Sequence, residues 1–278
     1  MTILTYLREQ LRSAPPPAEE LARAVERAVD LADPLLRTVS GHERRLAPAV
    51  ARALAHCEVF VAALPGPIEI DARAFAADPL VHALFPAVGD IAVTLGGSRA
   101  VREFLVSPSQ GREDGFHALL GVRRHEKNVM GMALWGDLVH GDSPQTLLYF
   151  SDHTLFGVAT ELDDTRRLLR AATFDSLVHG FAADGGEKHP LLAEEKLAAL
   201  AAWLGAAEEH LRLESFSVTV DLLGVETGPG ASGAHRLNLS ELAGRDRRRW
   251  SVVLGRFSRE EALAAVERQE QVHRYMVI

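Results

Sequence analysis

Apolar residues recur every three or four positions along the first 112 residues, and then, after a short polar loop, every second position. The first spacing predicts helices packed by one face, and the second predicts strands. In "PPPAEELARAVERAVDLADP", Leu21, Val25, Ala28, Val29 and Ala32 share a helical face, and prolines precede the run. Glu19 stands four residues before Arg23, the favourable order for a surface ion pair. Asp33-Pro34 and Asp78-Pro79 each read as a helix start, because the aspartate can accept free backbone N–H groups and proline suits the first turn. The longest helix is predicted over 45–63, with Leu46, Val50, Leu54, Cys57 and Val61 in one stripe, and "LPGP" ends it. Ser98 is predicted to cap a short helix carrying Val101, Phe104 and Leu105.

"SQGREDG" (109–115) is the internal boundary. Beyond it Phe116, Ala118, Leu120 and Val122 alternate with their neighbours. "RHEKN" (124–128) reads as a turn, 129–139 as a second strand, "HGDSP" (140–144) as a second turn, and 145–151 as a third strand. That is an antiparallel meander, apolar on both faces, which helices must cover on both sides. Helices return at 161–181 and 190–211. In the second, Leu197, Leu200, Leu204, Ala207 and Leu211 form a seam, read as a packing face that two subunits could share. "SFSVTVDLL", "HRLNLS" and "RWSVVLGRF" read as further strands, and "SREE" as a capping box opening a last helix. The expected class is α+β: a helical N-terminal region over 1–112, then a 113–278 domain of antiparallel β-meanders packed between helices, the two packed as one unit.

Composition narrows the function classes. A chain of 278 residues that is 47% hydrophobic and 24% charged is an ordinary folded protein. A net charge of −8 disfavours bulk binding to nucleic acid or anionic membranes. Its one cysteine, Cys57, excludes an internal disulfide and a cysteine-rich zinc site. Cys57 falls on an apolar stripe, so it is expected to be a small core residue rather than a nucleophile. The sequence shows neither a secretory signal at its start nor an apolar run long enough for a transmembrane helix, so a cytoplasmic location is expected.

Two loops resemble anion-binding turns, "LGGSRAVREF" and "GPGASG", but neither has the lysine-containing or three-glycine pattern in a strand–turn–helix context. The basic run Arg245, Arg247, Arg248, Arg249 and Trp250 is the candidate nucleic-acid or anion site. Against the acidic chain, a solvated turn leading into a strand whose Trp250 belongs to the core is the favoured reading. The stretch "LVHGDSPQTLLYFSDHTLFG" holds two acid–histidine groups. Counting the second turn puts Val139 opposite Gln145 and Ala133 opposite Ser151. His140 and Asp142 then lie about 20 Å from Asp152 and His153. The second group shares its end of the sheet with His125 and Glu126. These four, His125, Glu126, Asp152 and His153, are the candidate ligands of a divalent metal. Both Asp152 and His153 can contribute only if the strand ends or bulges at Ser151, because adjacent strand residues face opposite ways.

No catalytic motif is present, no cofactor beyond a possible divalent ion is implied, and the helical regions are rich in alanine and leucine. The reading favoured is therefore a non-catalytic binding or regulatory protein with a protein partner or self-association. A metal-dependent hydrolase acting near Asp152 and His153, and nucleic-acid binding through 245–249, are the alternatives.

Overall fold

The computed structural model describes residues 18–107, 113–135, 138–185, 192–228, 230–231, 233–244 and 249–276. The expected α+β class is what it shows: α-helices together with one antiparallel, curled sheet. The chain forms two compact units, each drawn from segments on both sides of residue 112. Unit 1 gathers 1–63, 166–213 and 243–247; unit 2 gathers 64–165, 214–242 and 248–278.

Unit 1 is a helical assembly. Helix α1 spans Ala18–Ala32, a 3-10 helix spans Pro34–Thr38, and α2 spans His42–Ala62. Asp33 opens the 3-10 helix as predicted, accepting from the Leu35 N–H at 2.9 Å. The Lys196 ammonium, 2.7 Å from Asp33, and that N–H together hold the Asp33 carboxyl below its usual range. After the elements of unit 2, the chain contributes α7 (Leu162–Gly185), α8 (Ala193–Gly205) and α9 (Ala207–His210). The core joins Val25, Leu46, Val50, Cys57, Phe174, Val178, Leu197, Leu200 and Leu204. The Leu197–Leu204 seam, which the sequence offers to a second subunit, is thus consumed within the chain: α8 packs on α2, and all three leucines are fully buried. The predicted helix over 190–211 breaks at Ala206, and a strand begins at Leu211.

Unit 2 is built on the sheet. Its strands are β1 (Ile68–Glu69), β2 (Gly115–Trp135), β3 (Leu138–Ala159), β4 (Leu211–Val220), β5 (His235–Gly244) and β6 (Arg249–Ser258). The order is β3-β2-β6-β5-β4, with β1 parallel to β6. Helices α3 (Ala72–Ala77), α4 (Pro79–Leu84), α5 (Val88–Gly97), α6 (Arg99–Val106) and α10 (Arg259–Met276) complete the unit. Asp78, Ser98 and Ser258 cap α4, α6 and α10, accepting from the backbone N–H groups of Leu80, Val101 and Glu261. Close packing of α10 on α5 depends on Gly96, since a Cβ there would stand 2.7 Å from the Ala265 carbonyl oxygen.

The predicted meander is corrected to one long hairpin. Neither "RHEKN" nor "HGDSP" is a turn; both are paired strand, with Glu126 opposite Leu148 and Met130 opposite Pro144. The chain reverses between Trp135 and Leu138. Beyond Arg123, no pairing of β2 with β6 occurs among the described residues, and the hairpin continues with β3.

Polar residues occupy that part of the hairpin for a reason the alternation hides. Phe116, Ala118, Leu120 and Val122 point into the core, and Arg124 continues the same face with its side chain only 10% exposed. Its Nε lies 2.5 Å from Oε1 of Glu241, whose side chain is 2% exposed, and its guanidinium sits 3.9 Å from the Phe216 ring centroid. β2 and β4 are three places apart in the strand order, about 14 Å in a flat sheet. Contact between Arg124 and Phe216 is a measure of the curl.

The curl closes where 224–226 bridges the two outer strands. The Leu148 N–H donates to the Gly224 carbonyl at 2.8 Å, Glu226 N–H to Thr146, and Asp221 N–H to Val225. Gly224 has φ +79°, and a Cβ there would stand 2.5 Å from the Leu148 carbonyl oxygen, so only glycine fits.

Removing one partner of a buried ion pair strands the other charge. Arg124→Met is expected to lower unfolding stability by about 3–5 kcal/mol, and Arg124→Met with Glu241→Met to recover most of the loss. Urea denaturation of the two variants checks this; equal losses contradict it.

Candidate functional site

A groove of about 570 Å³ in unit 2 lies between the α5–α6 junction and β3, with Asp90, Val93, Thr94, Ser98 and Arg99 on the helical side and 150–156 on the strand. The α5–α6 junction is sharp because Ser98 ends one helix in an extended conformation and caps the next.

On the strand side the backbone bulges. Gly121 pairs with Thr154 and Arg123 with Ser151, leaving Asp152 and His153 opposite Val122 alone. Asp152 takes φ +55°, the one non-glycine residue with positive φ among those described. Aspartate tolerates this conformation better than most residues. The break in alternation that both side chains require is therefore present, and both line the groove.

The four candidate metal ligands nevertheless do not converge. Asp152 is exposed and pairs with Arg123 at 3.6 Å. His153 directs Nε2 to the Leu84 carbonyl at 2.7 Å and stacks on Phe85 at 4.7 Å between ring centroids. His125 stacks on Tyr149 at 4.9 Å and places Nε2 2.8 Å from Ser151 Oγ. Glu126 is exposed and pairs with Arg124. Among the described residues, no three of the four bring ligand atoms within 4.8 Å of one another.

A carbonyl oxygen only accepts, so the contact with Leu84 fixes the proton of a neutral His153 on Nε2 and leaves Nδ1 as an acceptor. Other polar groups are committed: Thr154 Oγ1 donates to the Gly121 carbonyl, Ser98 Oγ caps α6, and Arg99 pairs with Glu103 at 2.6 Å. Asp90 Oδ2 accepts from the Ala87 N–H. The Ser151–His125 contact has the hydroxyl–imidazole half of an activated nucleophile, but no described group orients the far nitrogen of that ring. Val93 and Phe156 supply apolar surface, 63% and 52% exposed. The groove thus combines an acceptor-rich end with an exposed apolar side.

The remaining expectations fall elsewhere. Arg245, Arg247 and Arg248 lie outside the described residues, and Arg249 is described by its backbone alone, at the start of β6. Trp250 is half-buried, pairs in register with Arg123, and lies close over Gly121, so it belongs to the face of the sheet. "LGGSRAVREF" holds no strand–turn–helix unit, because Gly96 and Gly97 are the end of α5, and "GPGASG" lies partly outside the described residues. Cys57 is fully buried, as its stripe predicts, and burial pushes its thiol up to about 12.

No protein-family model, curated protein or solved structure matches the chain. Any functional reading therefore rests on its own residues.

Two outcomes test this geometry. Asp152→Gly, which relaxes the positive φ, is expected to change stability by no more than about 1 kcal/mol, whereas Asp152→Val is expected to cost about 1–3 kcal/mol. Thermal unfolding separates them; a tolerated valine removes the strain argument. Cys57 is expected to resist iodoacetamide at pH 8 in the folded protein and to react once unfolded. Its raised pKa also makes stability fall as pH climbs from 9.0 towards about 12, because the unfolded thiol releases its proton first.

Proposed function

We propose that the protein is a non-catalytic binding protein, and that the α5–α6/β3 groove takes a small amphipathic ligand with a hydrogen-bond-donating, cationic head. The observation that carries the reading is the bulge, where Asp152 is held at a strained φ next to His153, whose neutral ring keeps Nδ1 as an acceptor. Strain of this kind persists when surrounding structure imposes it, and it gathers at ligand sites. An amine or amidine donates to both acceptors, while its apolar part covers Val93 and Phe156. Commitment of the Thr154 hydroxyl and of Arg99 to internal partners, with no described group to orient the ring of His125 beside Ser151, supports binding over turnover.

A cytosolic location and a protein partner that responds to the bound ligand complete the proposal. A single buried thiol is consistent with a reducing compartment. Among the described residues no helix is long and apolar enough to cross a membrane.

The test is calorimetric titration with benzylamine, hexylamine, benzamidine and spermidine, beside matched carboxylic acids. At least one amine is expected to bind and to lose about tenfold or more in affinity with Asp152→Asn. Carboxylates binding better, or amine binding indifferent to Asp152→Asn, would overturn the reading.

A further inference from the structure

We propose that Glu26, His42 and Glu43 form a site for one divalent transition-metal ion, with zinc the fitting probe. This site lies in unit 1 and is independent of the groove. Glu26 comes from α1, and His42 and Glu43 are the first two residues of α2. The 3-10 helix between them returns the chain so that one ligand atom from each residue lies within 4.8 Å of the others.

The imidazole carries the argument. Nδ1 of His42 lies 3.2 Å from the Val39 carbonyl, an acceptor only, so the proton of the neutral ring is on Nδ1 and Nε2 bears a lone pair. That nitrogen is buried and has no hydrogen-bond partner. Its polar neighbour is Glu26 Oε1 at 3.8 Å, another acceptor. A buried nitrogen lone pair facing a half-exposed carboxylate oxygen is costly, and a cation between them satisfies both. A ring nitrogen fixed through its other N–H by a backbone carbonyl is also how protein metal sites orient histidine.

Geometry and charge agree. Ligands about 2.1 Å from a tetrahedral ion stand about 3.4 Å apart. The 3.8 Å separation closes to that with a small side-chain adjustment. Glu26 keeps Oε1 for the ion, because Oε2 accepts from Arg37 at 3.0 Å, and Arg37 also pairs with Asp30 at 2.5 Å. Glu26, Asp30 and Glu43 thus outnumber the one guanidinium by two negative charges, which a divalent ion neutralises. This surplus opposes the positive end of α2, which by itself repels a cation. One nitrogen and two carboxylate oxygens suit zinc better than magnesium or calcium, and exposed Glu43 leaves the fourth position to water.

A protonated His42 paired with Glu26 explains the same contact without an ion, and titration distinguishes the two. Metal-stripped full-length protein titrated with zinc chloride is expected to bind one equivalent and to melt at a higher temperature. Cobalt(II) is expected to give the visible absorption of a low-symmetry site. His42→Ala and Glu43→Gln are each expected to weaken zinc about tenfold or more, whereas Glu126→Gln leaves it unchanged. Glu43 is exposed, so Glu43→Gln tests the site even where His42→Ala disturbs folding. Failure to bind zinc saturably, or binding unaffected by His42→Ala and Glu43→Gln, overturns the proposal in favour of the protonated pair.

Discussion

Closure of the curled sheet is the constraint on which unit 2 depends. A strongly curved sheet with two open edges exposes backbone donors and acceptors and invites pairing with other chains. Here 224–226 links β3 to β4 through a few backbone hydrogen bonds, and the ring of strands is completed. The closure brings Phe216 and Glu241 within reach of Arg124 and makes room for an ion pair among apolar side chains. It depends in turn on a glycine whose missing Cβ lets two backbones meet. The groove lies beside the bulge of β3, where Asp152 and His153 stand opposite Val122 alone.

Helices were the readable part of this sequence, and the reason is local. Asp33, Asp78, Ser98 and Ser258 each satisfy a backbone N–H two or three residues ahead, so cap and helix start share one short window. Strand ends depended on partners far along the chain. Arg124, His125, Glu126 and Lys127 look like a turn by polarity, but Arg124 is polar because Glu241 waits inside the sheet, His125 bonds Ser151 and stacks on Tyr149, and Glu126 and Lys127 face solvent. The requirement for a bulge at Ser151 was legible, since it follows from strand geometry alone. The groove was not, because Asp152 and the helical wall that faces it are some fifty residues apart and share no spacing motif. Glu26 and His42 likewise match no spacing motif, because the 3-10 helix between them is what brings them together.

The buried Arg124–Glu241 pair also bears on specificity of folding. Hydrophobic residues of similar volume often stabilise such a position as well or better, so an ion pair there is poorly explained by stability alone. A charge that must find one partner penalises every misregistered pairing of β2. A long hairpin with apolar residues on both faces otherwise has little to fix its register.

The discontinuous units have a consequence for the newly made chain. Residues leave the ribosome in order, yet the core of unit 1 joins α1 and α2 to α7 and α8. Its first two helices therefore wait, apolar faces uncovered, while about a hundred residues of the other unit are synthesised. The sheet waits longer still, since β6 (Arg249–Ser258) pairs with β2 (Gly115–Trp135), made more than a hundred residues earlier. Neither unit can be completed by any contiguous fragment that omits the other, so truncation is a poor way to isolate them. During the interval between synthesis of α2 and of α8, exposed apolar surface puts the chain at risk of aggregation.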